Sequence, residues 1–241
     1  MSKIKNFKQN KLGRDLVVGD IHGHFSRLVL ALDKIGFNIE TDRLFSVGDL
    51  VDRGPESHLV LDWLQKPWFH AVQGNHEAMA VNWVDTRHYQ DFRLYEKNGG
   101  LWNINNTEED QKKYAEAFAQ LPLAIEVATS DGLVGIAHAE PTDNWDLLRI
   151  DLLNPWLDGY TSQRLQDKLQ WERRRIYQGD KIGVVGVKAA VVGHTPLTKP
   201  VQLGNVYYID TGAWSDAGKG FTFIDIETLV VTTVDNKHFS S

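Results

Sequence analysis

Four short apolar runs in this chain each end at, or one residue before, a glycine followed by a polar residue. Leu16-Val17-Val18 runs into Gly19-Asp20-Ile21-His22-Gly23, and Leu44-Phe45-Ser46-Val47 into Gly48-Asp49-Leu50-Val51-Asp52-Arg53-Gly54-Pro55. Phe69-His70-Ala71-Val72 leads to Gly74-Asn75-His76-Glu77, and Ala189-Ala190-Val191-Val192 to Gly193-His194-Thr195-Pro196. An apolar run, a tight turn and then an amphipathic stretch (Leu28, Leu30, Ala31, Leu32 and Ile35 after the first) read as strand, turn, helix. Repeated with short connections, that pattern implies right-handed crossovers and a parallel sheet. Sites on such sheets collect outside the carboxyl ends of the strands, and the polar turns fall there. Residues two apart on extended chain share a face, so Asp20 and His22 can aim at one point.

The rest of the chain adds to the pattern. Ala124–Ala128 and Leu133–Ala137 flank Ser130-Asp131-Gly132, a hairpin signal, and the second run ends in His138-Ala139-Glu140-Pro141. Tyr207-Tyr208-Ile209 ends in Asp210-Thr211-Gly212, where Asp210 is read as turn-forming. Phe221–Ile226 and Val230–Val234 form a last predicted hairpin. Polar helical insertions are expected at about 85–120 and 142–180, the second carrying Trp171 and the cluster Arg173, Arg174, Arg175. A single domain is expected over 15–241, behind a flexible basic arm at residues 1–14.

Composition narrows the chemistry. With no cysteine in 241 residues, disulfides and thiolate metal sites are excluded, so a metal would need nitrogen and oxygen ligands. A net charge of -6 argues against a broad nucleic-acid or membrane-binding surface. No apolar leader stands in the first fourteen residues and no long apolar run follows, so a cytoplasmic location is expected.

Taken together, GDIHG, GDLVDRG, GNHE, AHAE and GHT resemble the metallophosphoesterases of the phosphoprotein phosphatase family, most closely its small bacterial and phage members, from about Leu16 to Ile226. The resemblance implies an α/β fold, the calcineurin-like sandwich of two mixed β-sheets flanked by helices in four layers. It implies two divalent ions, Mn²⁺ foremost with Fe or Zn as the other candidates. Asp20 and His22 would hold the first ion, Asp49 would bridge both, and Asn75, His138 and His194 would complete the second. A hydroxide between the ions would attack phosphorus in line. Arg53 would present its planar fork to phosphate, with Arg173 of the Trp171-Glu172-Arg173 run as a second phosphate ligand. His76 would protonate the leaving alkoxide, oriented by Asp52.

The expected activity is hydrolysis of phosphoserine and phosphothreonine in phosphoproteins or phosphopeptides, with phosphotyrosine admitted by an open site. The expected enzyme is monomeric and has neither nucleic-acid nor membrane partners. Two other readings stand beside it. One is a symmetrical dinucleoside-tetraphosphate hydrolase, which shares the GDxHG start but typically carries alanine at the Asp52 position and GNHD where this chain has GNHE. The other is a non-catalytic binding protein on the same fold, which would require a missing ligand; none is missing.

Overall fold

The computed structural model describes residues 3–215 and 217–239. Two mixed sheets carry the chain. The six-stranded sheet runs β1 (Ile4–Phe7), β5 (Ala124–Thr129), β6 (Gly132–Ala137), β7 (Ala189–Val192), β9 (Val206–Tyr208), β8 (Val201–Leu203). The five-stranded sheet runs β11 (Val231–Asp235), β10 (Gly220–Asp225), β2 (Asp15–Val18), β3 (Arg43–Ser46), β4 (Phe69–Ala71). As the turn pattern predicted, β2, β3 and β4 are parallel, and so are β6, β7 and β9. Both predicted hairpins, β5–β6 and β10–β11, are antiparallel pairs.

Period-two alternation decides which side chain enters which layer. Val17 and Phe45 point between the sheets and meet Ile125, Val127, Val134, Ile136, Ala189 and Val191 from the other sheet. Their neighbours Leu16, Val18 and Leu44 point the opposite way, against helices α1 (Phe25–Lys34), α2 (Val60–Leu64), α3 (Asn75–Thr86), α4 (Tyr89–Lys97) and α6 (Glu108–Ala119). On the far side, Ala124, Ala137, Ala190 and Val192 pack on α7 (Trp145–Leu153) and α8 (Gly159–Trp171). Each fully buried large apolar side chain contributes about 1.5–3 kcal/mol relative to exposure, so a one-residue slip would forfeit a whole face. Gly135 shows how tight the outer layer is. A Cβ there would meet the Trp145 ring at 2.5 Å, so only glycine lets that indole lie on the sheet.

Within 85–120 lie α4, α5 (Leu101–Ile104) and α6, and within 142–180 lie α7, α8 and α9 (Arg174–Gln178). The expected flexible arm requires correction. Within residues 1–14, Ile4–Phe7 form β1, paired in parallel with β5; Ile4 is buried, and Phe7 packs edge-on to Phe45 at 5.1 Å. Arg14 is also anchored, paired with Asp42 at 2.7 Å. Two apolar residues spaced at the ends of a four-residue strand were enough to hold a segment whose lysines suggested solvent. β8 is a short strand that the sequence reading left unassigned.

Candidate metal centre

The carboxyl ends of β2, β3, β4, β6, β7 and β9 bring the polar turns together. Asp20, His22, Asp49, Asn75, His138 and His194 are all at most 5% exposed. Asp49 stands in the middle. Its Oδ2 lies 3.6 Å from His22 Nε2 and 3.7 Å from His76 Nε2, while its Oδ1 lies 3.3 Å from His138 Nε2. Two potential ligand groups therefore share this one carboxylate: His22, Asp49, His76 and Asp49, His138, His194.

Backbone carbonyls select the ring tautomers. His22 Nδ1–H donates to Val51 O (2.9 Å), His138 Nδ1–H to Val47 O (2.8 Å) and His194 Nε2–H to Trp171 O (3.2 Å). The other nitrogen of each ring then carries a lone pair into the cluster. His138 Nε2 faces His194 Nδ1 at 3.1 Å and Asn75 Oδ1 at 2.8 Å, so acceptors converge on acceptors. A cation relieves that arrangement. At the other end, the Arg53 guanidinium already stands in for one, donating from Nη1 to His22 Nε2 at 2.5 Å. Burial, the His138 ring and other local charges push the His194 imidazole down to about 2, and burial and His76 push His22 well below its usual value. Both rings are thus held neutral. Asp49 is buried, which would raise its pKa, but His138 and His76 hold it well below the usual carboxylate range. Imidazole nitrogens with carboxylate and amide oxygens suit borderline divalent cations, and the residues present fit such ions.

Asp20 sits at the edge of this cluster. Its carboxylate accepts the His194 N–H at 3.0 and 3.2 Å and lies 3.9 Å from His22 Nε2. Burial and the neighbouring Asp210 raise its pKa well above the ordinary value. Asp210 does form its turn, accepting Gly212 N–H at 2.9 Å, but its other oxygen is buried without a partner, and burial pushes it up to about 6. Two acids held together in a dry site are a further sign of a cation's place.

His76 differs from the other rings. Its Nδ1–H donates to Asp52 Oδ2 at 2.6 Å, and its Nε2 is buried with no hydrogen-bond partner. Burial opposes its protonation, but Asp49 and Asp52 outweigh that and raise its pKa. Asp52 Oδ1 accepts the Trp102 indole N–H at 2.6 Å.

The three clustered arginines of the insertion separate cleanly. Arg174 pairs with Glu140, Asp143 and Asp180, and fully buried Arg175 with Asp143 and Asp180. Arg173 pairs with no carboxylate among the described residues and donates to His194 O at 3.4 Å. Glu140 of the AHAE run faces away from the cluster and accepts Arg175 N–H. Sequence reasoning missed Trp102, Trp214 and the tie made by Glu77. Trp214 stacks on Arg53 (4.3 Å to the ring) and lies edge-on to His22. Its nearness to Gly212 was the sole available signal.

Two packed mixed sheets with a nitrogen- and oxygen-lined cluster across their carboxyl ends define a metal-dependent phosphoesterase. The chain belongs to the calcineurin-like phosphoesterases, whose family profile matches residues 14–211. It is similar to serine/threonine-protein phosphatase 2 of Salmonella typhimurium, 37% identical over 85% of this chain and 90% of the relative. It is also similar to the symmetrical bis(5'-nucleosyl)-tetraphosphatase of Erwinia tasmaniensis, 44% identical but over 54% of this chain and 46% of that one. Among solved structures, a protein serine/threonine phosphatase from Saccharomyces cerevisiae shares the fold with a TM-score of 0.61 at 18% identity, covering 97% of this chain and 84% of that one. Among the described residues no helix is long and apolar enough to cross a membrane.

Proposed function

We propose that this protein is a phosphoprotein phosphatase that hydrolyses phosphoserine and phosphothreonine monoesters, with two divalent ions, Mn²⁺ foremost, in its site. The observation that carries the reading is the His76–Asp52 pair, a buried imidazole backed by a carboxylate with its free nitrogen aimed into the cluster. Asp20, His22 and Asp49 would hold one ion; Asp49, Asn75, His138 and His194 would hold the other. When bound, such ions acidify water and neutralise charge developing on a phosphate.

The chain's own residues supply the remainder. Arg53 and Arg173 bind and orient the phosphate oxygens, Arg53 with its plane held by Trp214. As the water oxygen bonds to phosphorus, the ester P–O bond breaks and the leaving alkoxide takes the proton from His76 Nε2. Asp52 keeps the proton of Nδ1 in place and stabilises the imidazolium before transfer. A serine alkoxide is a poor leaving group, so a carboxylate-backed acid suits this substrate class. Phosphoprotein substrates also accord with the similarity to the Salmonella phosphatase over most of both chains.

The Erwinia relative favours one other reading, hydrolysis of dinucleoside tetraphosphates. Assaying phosphoserine peptides against diadenosine tetraphosphate with Mn²⁺ added separates the two. The phosphatase reading expects a higher kcat/KM on the peptide; a clear preference for the dinucleotide overturns it.

A further inference from the structure

We propose that Trp102 is a positioning residue for the proton-donating pair, its indole N–H fixing the carboxylate of Asp52 so that the opposite oxygen faces His76. This inference rests on the acid role of His76 proposed above. Asp52 has two oxygens, each held by one short hydrogen bond, with the buried Tyr95 hydroxyl of α4 also beside the carboxylate. Oδ2 receives Nδ1–H of His76 at 2.6 Å, and Oδ1 receives Nε1–H of Trp102, also at 2.6 Å. A carboxylate held at one oxygen can rotate; held at both, its plane is set. Asp52 is fully buried, so bulk water does not hydrate its carboxylate in place of the indole.

The helical insertion is built to deliver that one donor. Trp102 lies on α5, fifty residues along the chain from Asp52. Its ring is steadied by Tyr114 of α6, edge-on at 4.9 Å and 79°. The segment passes close to the Asp52 turn at Gly99, which has φ +101° and where a Cβ would stand 2.8 Å from Arg53 N. A side chain there would be strained and would push the segment off the loop that carries both Asp52 and Arg53. The turn side is equally prepared: Asp52 N–H donates to Ser57 Oγ at 2.9 Å, so the backbone of Asp52 is anchored independently of its side chain. The insertion thus reaches the catalytic pair most directly through the Trp102 N–H, with Tyr95 of α4 beside it.

Trp102→Phe keeps the aromatic packing and deletes the donor. With Mn²⁺ added, we expect kcat on a phosphoserine peptide to fall on the order of tenfold, the scale of one hydrogen bond to a charged group. On p-nitrophenyl phosphate, whose leaving group needs little protonation, kcat should stay within about twofold. KM should hold for both substrates. In an Asp52→Asn background the same change should add nothing further. Should Trp102→Phe fold poorly, benzothienylalanine at position 102 preserves the ring shape with sulfur in place of N–H. An equal loss on both substrates, or full additivity with Asp52→Asn, overturns the inference. His76→Asn, run alongside, keeps the two ideas apart. If it shows the leaving-group dependence and Trp102→Phe does not, the positioning role falls while the acid role stands. If His76→Asn shows none, both fall.

Discussion

The carboxylate of Glu77 accepts three backbone N–H groups, from Gly74 at 2.8 Å, Asp49 at 3.0 Å and Leu50 at 2.8 Å. One side chain thereby ties the turn after β3 to the turn after β4 and places Asp49 beside Asn75. The tie is needed because the local backbone is strained. His22, Asp49, Asp52, Arg53 and His194 all have φ between 45° and 69°, a region that costs L-residues about 1–2 kcal/mol each. Glu77→Gln should therefore be costly despite its near-identical shape, since its amide must turn an NH₂ toward backbone donors. We expect a loss of about 2–4 kcal/mol, read as a lower urea midpoint at unchanged slope. A midpoint unchanged from wild type would show that the turns hold without it. At this scale the sequence was informative about which residues cluster, because each follows an apolar run and shares a short motif with its neighbours. Trp102 and Asp210 beside Asp20 were not legible, and Arg173 was singled out only through the resemblance of Trp171-Glu172-Arg173, with no local spacing to separate it from Arg174 and Arg175. Their partners arrive from segments tens of residues away, and no local spacing encodes such contacts.

Among the elements, β4 carries a titratable group where the two sheets meet. His70 packs against Phe7 of β1 at 4.4 Å and Phe45 of β3 at 5.3 Å. Burial, then the charges of Lys5 and Arg43, push its imidazole from the ordinary 6.5 down to about 4. Between those two values the unfolded chain binds more protons than the folded one. The stabilising contribution is thus fully present above about pH 6.5 and is lost as pH falls toward 4. His70→Phe keeps a ring in the same place and removes the titration, so its urea midpoint should fall less between pH 7 and pH 5. Equal acid slopes in the two proteins would contradict this. The strands themselves were readable from their apolar runs, and the helices from their periodicity. β1 was not, since Lys3, Lys5 and Lys8 mask an apolar pair whose fit is decided by β5 and Phe45, both distant in sequence. The helix after Pro55 opens with a 3₁₀ turn at Ser57–Leu59 before α2, a detail below the resolution of any periodicity argument.

Across the whole molecule, the metal centre joins the two sheets. Asp20, His22, Asp49 and Asn75 follow strands of the five-stranded sheet, and His138 and His194 follow strands of the six-stranded one. Polar contacts already cross the gap: His138 Nδ1–H to Val47 O at 2.8 Å, and His194 N–H to Asp20 at 3.0 Å. Ions bound there would bind the folded chain alone, so they should stabilise it by mass action, about 2.7 kcal/mol at a hundredfold excess over Kd. Chelation should lower Tm by roughly 5–10 °C for a chain of this length, restored by Mn²⁺. A Tm indifferent to chelator in protein shown to have lost its metal would argue against a site spanning both sheets.

That same division of the cluster between two sheets makes the proposed pair of ions depend on both halves. The five-stranded half carries Asp20, His22, Asp49 and Asn75, and the second ion's set is complete only when His138 and His194 arrive from the other sheet. A chain folding in order therefore gains its last cluster histidine only with the turn after β7.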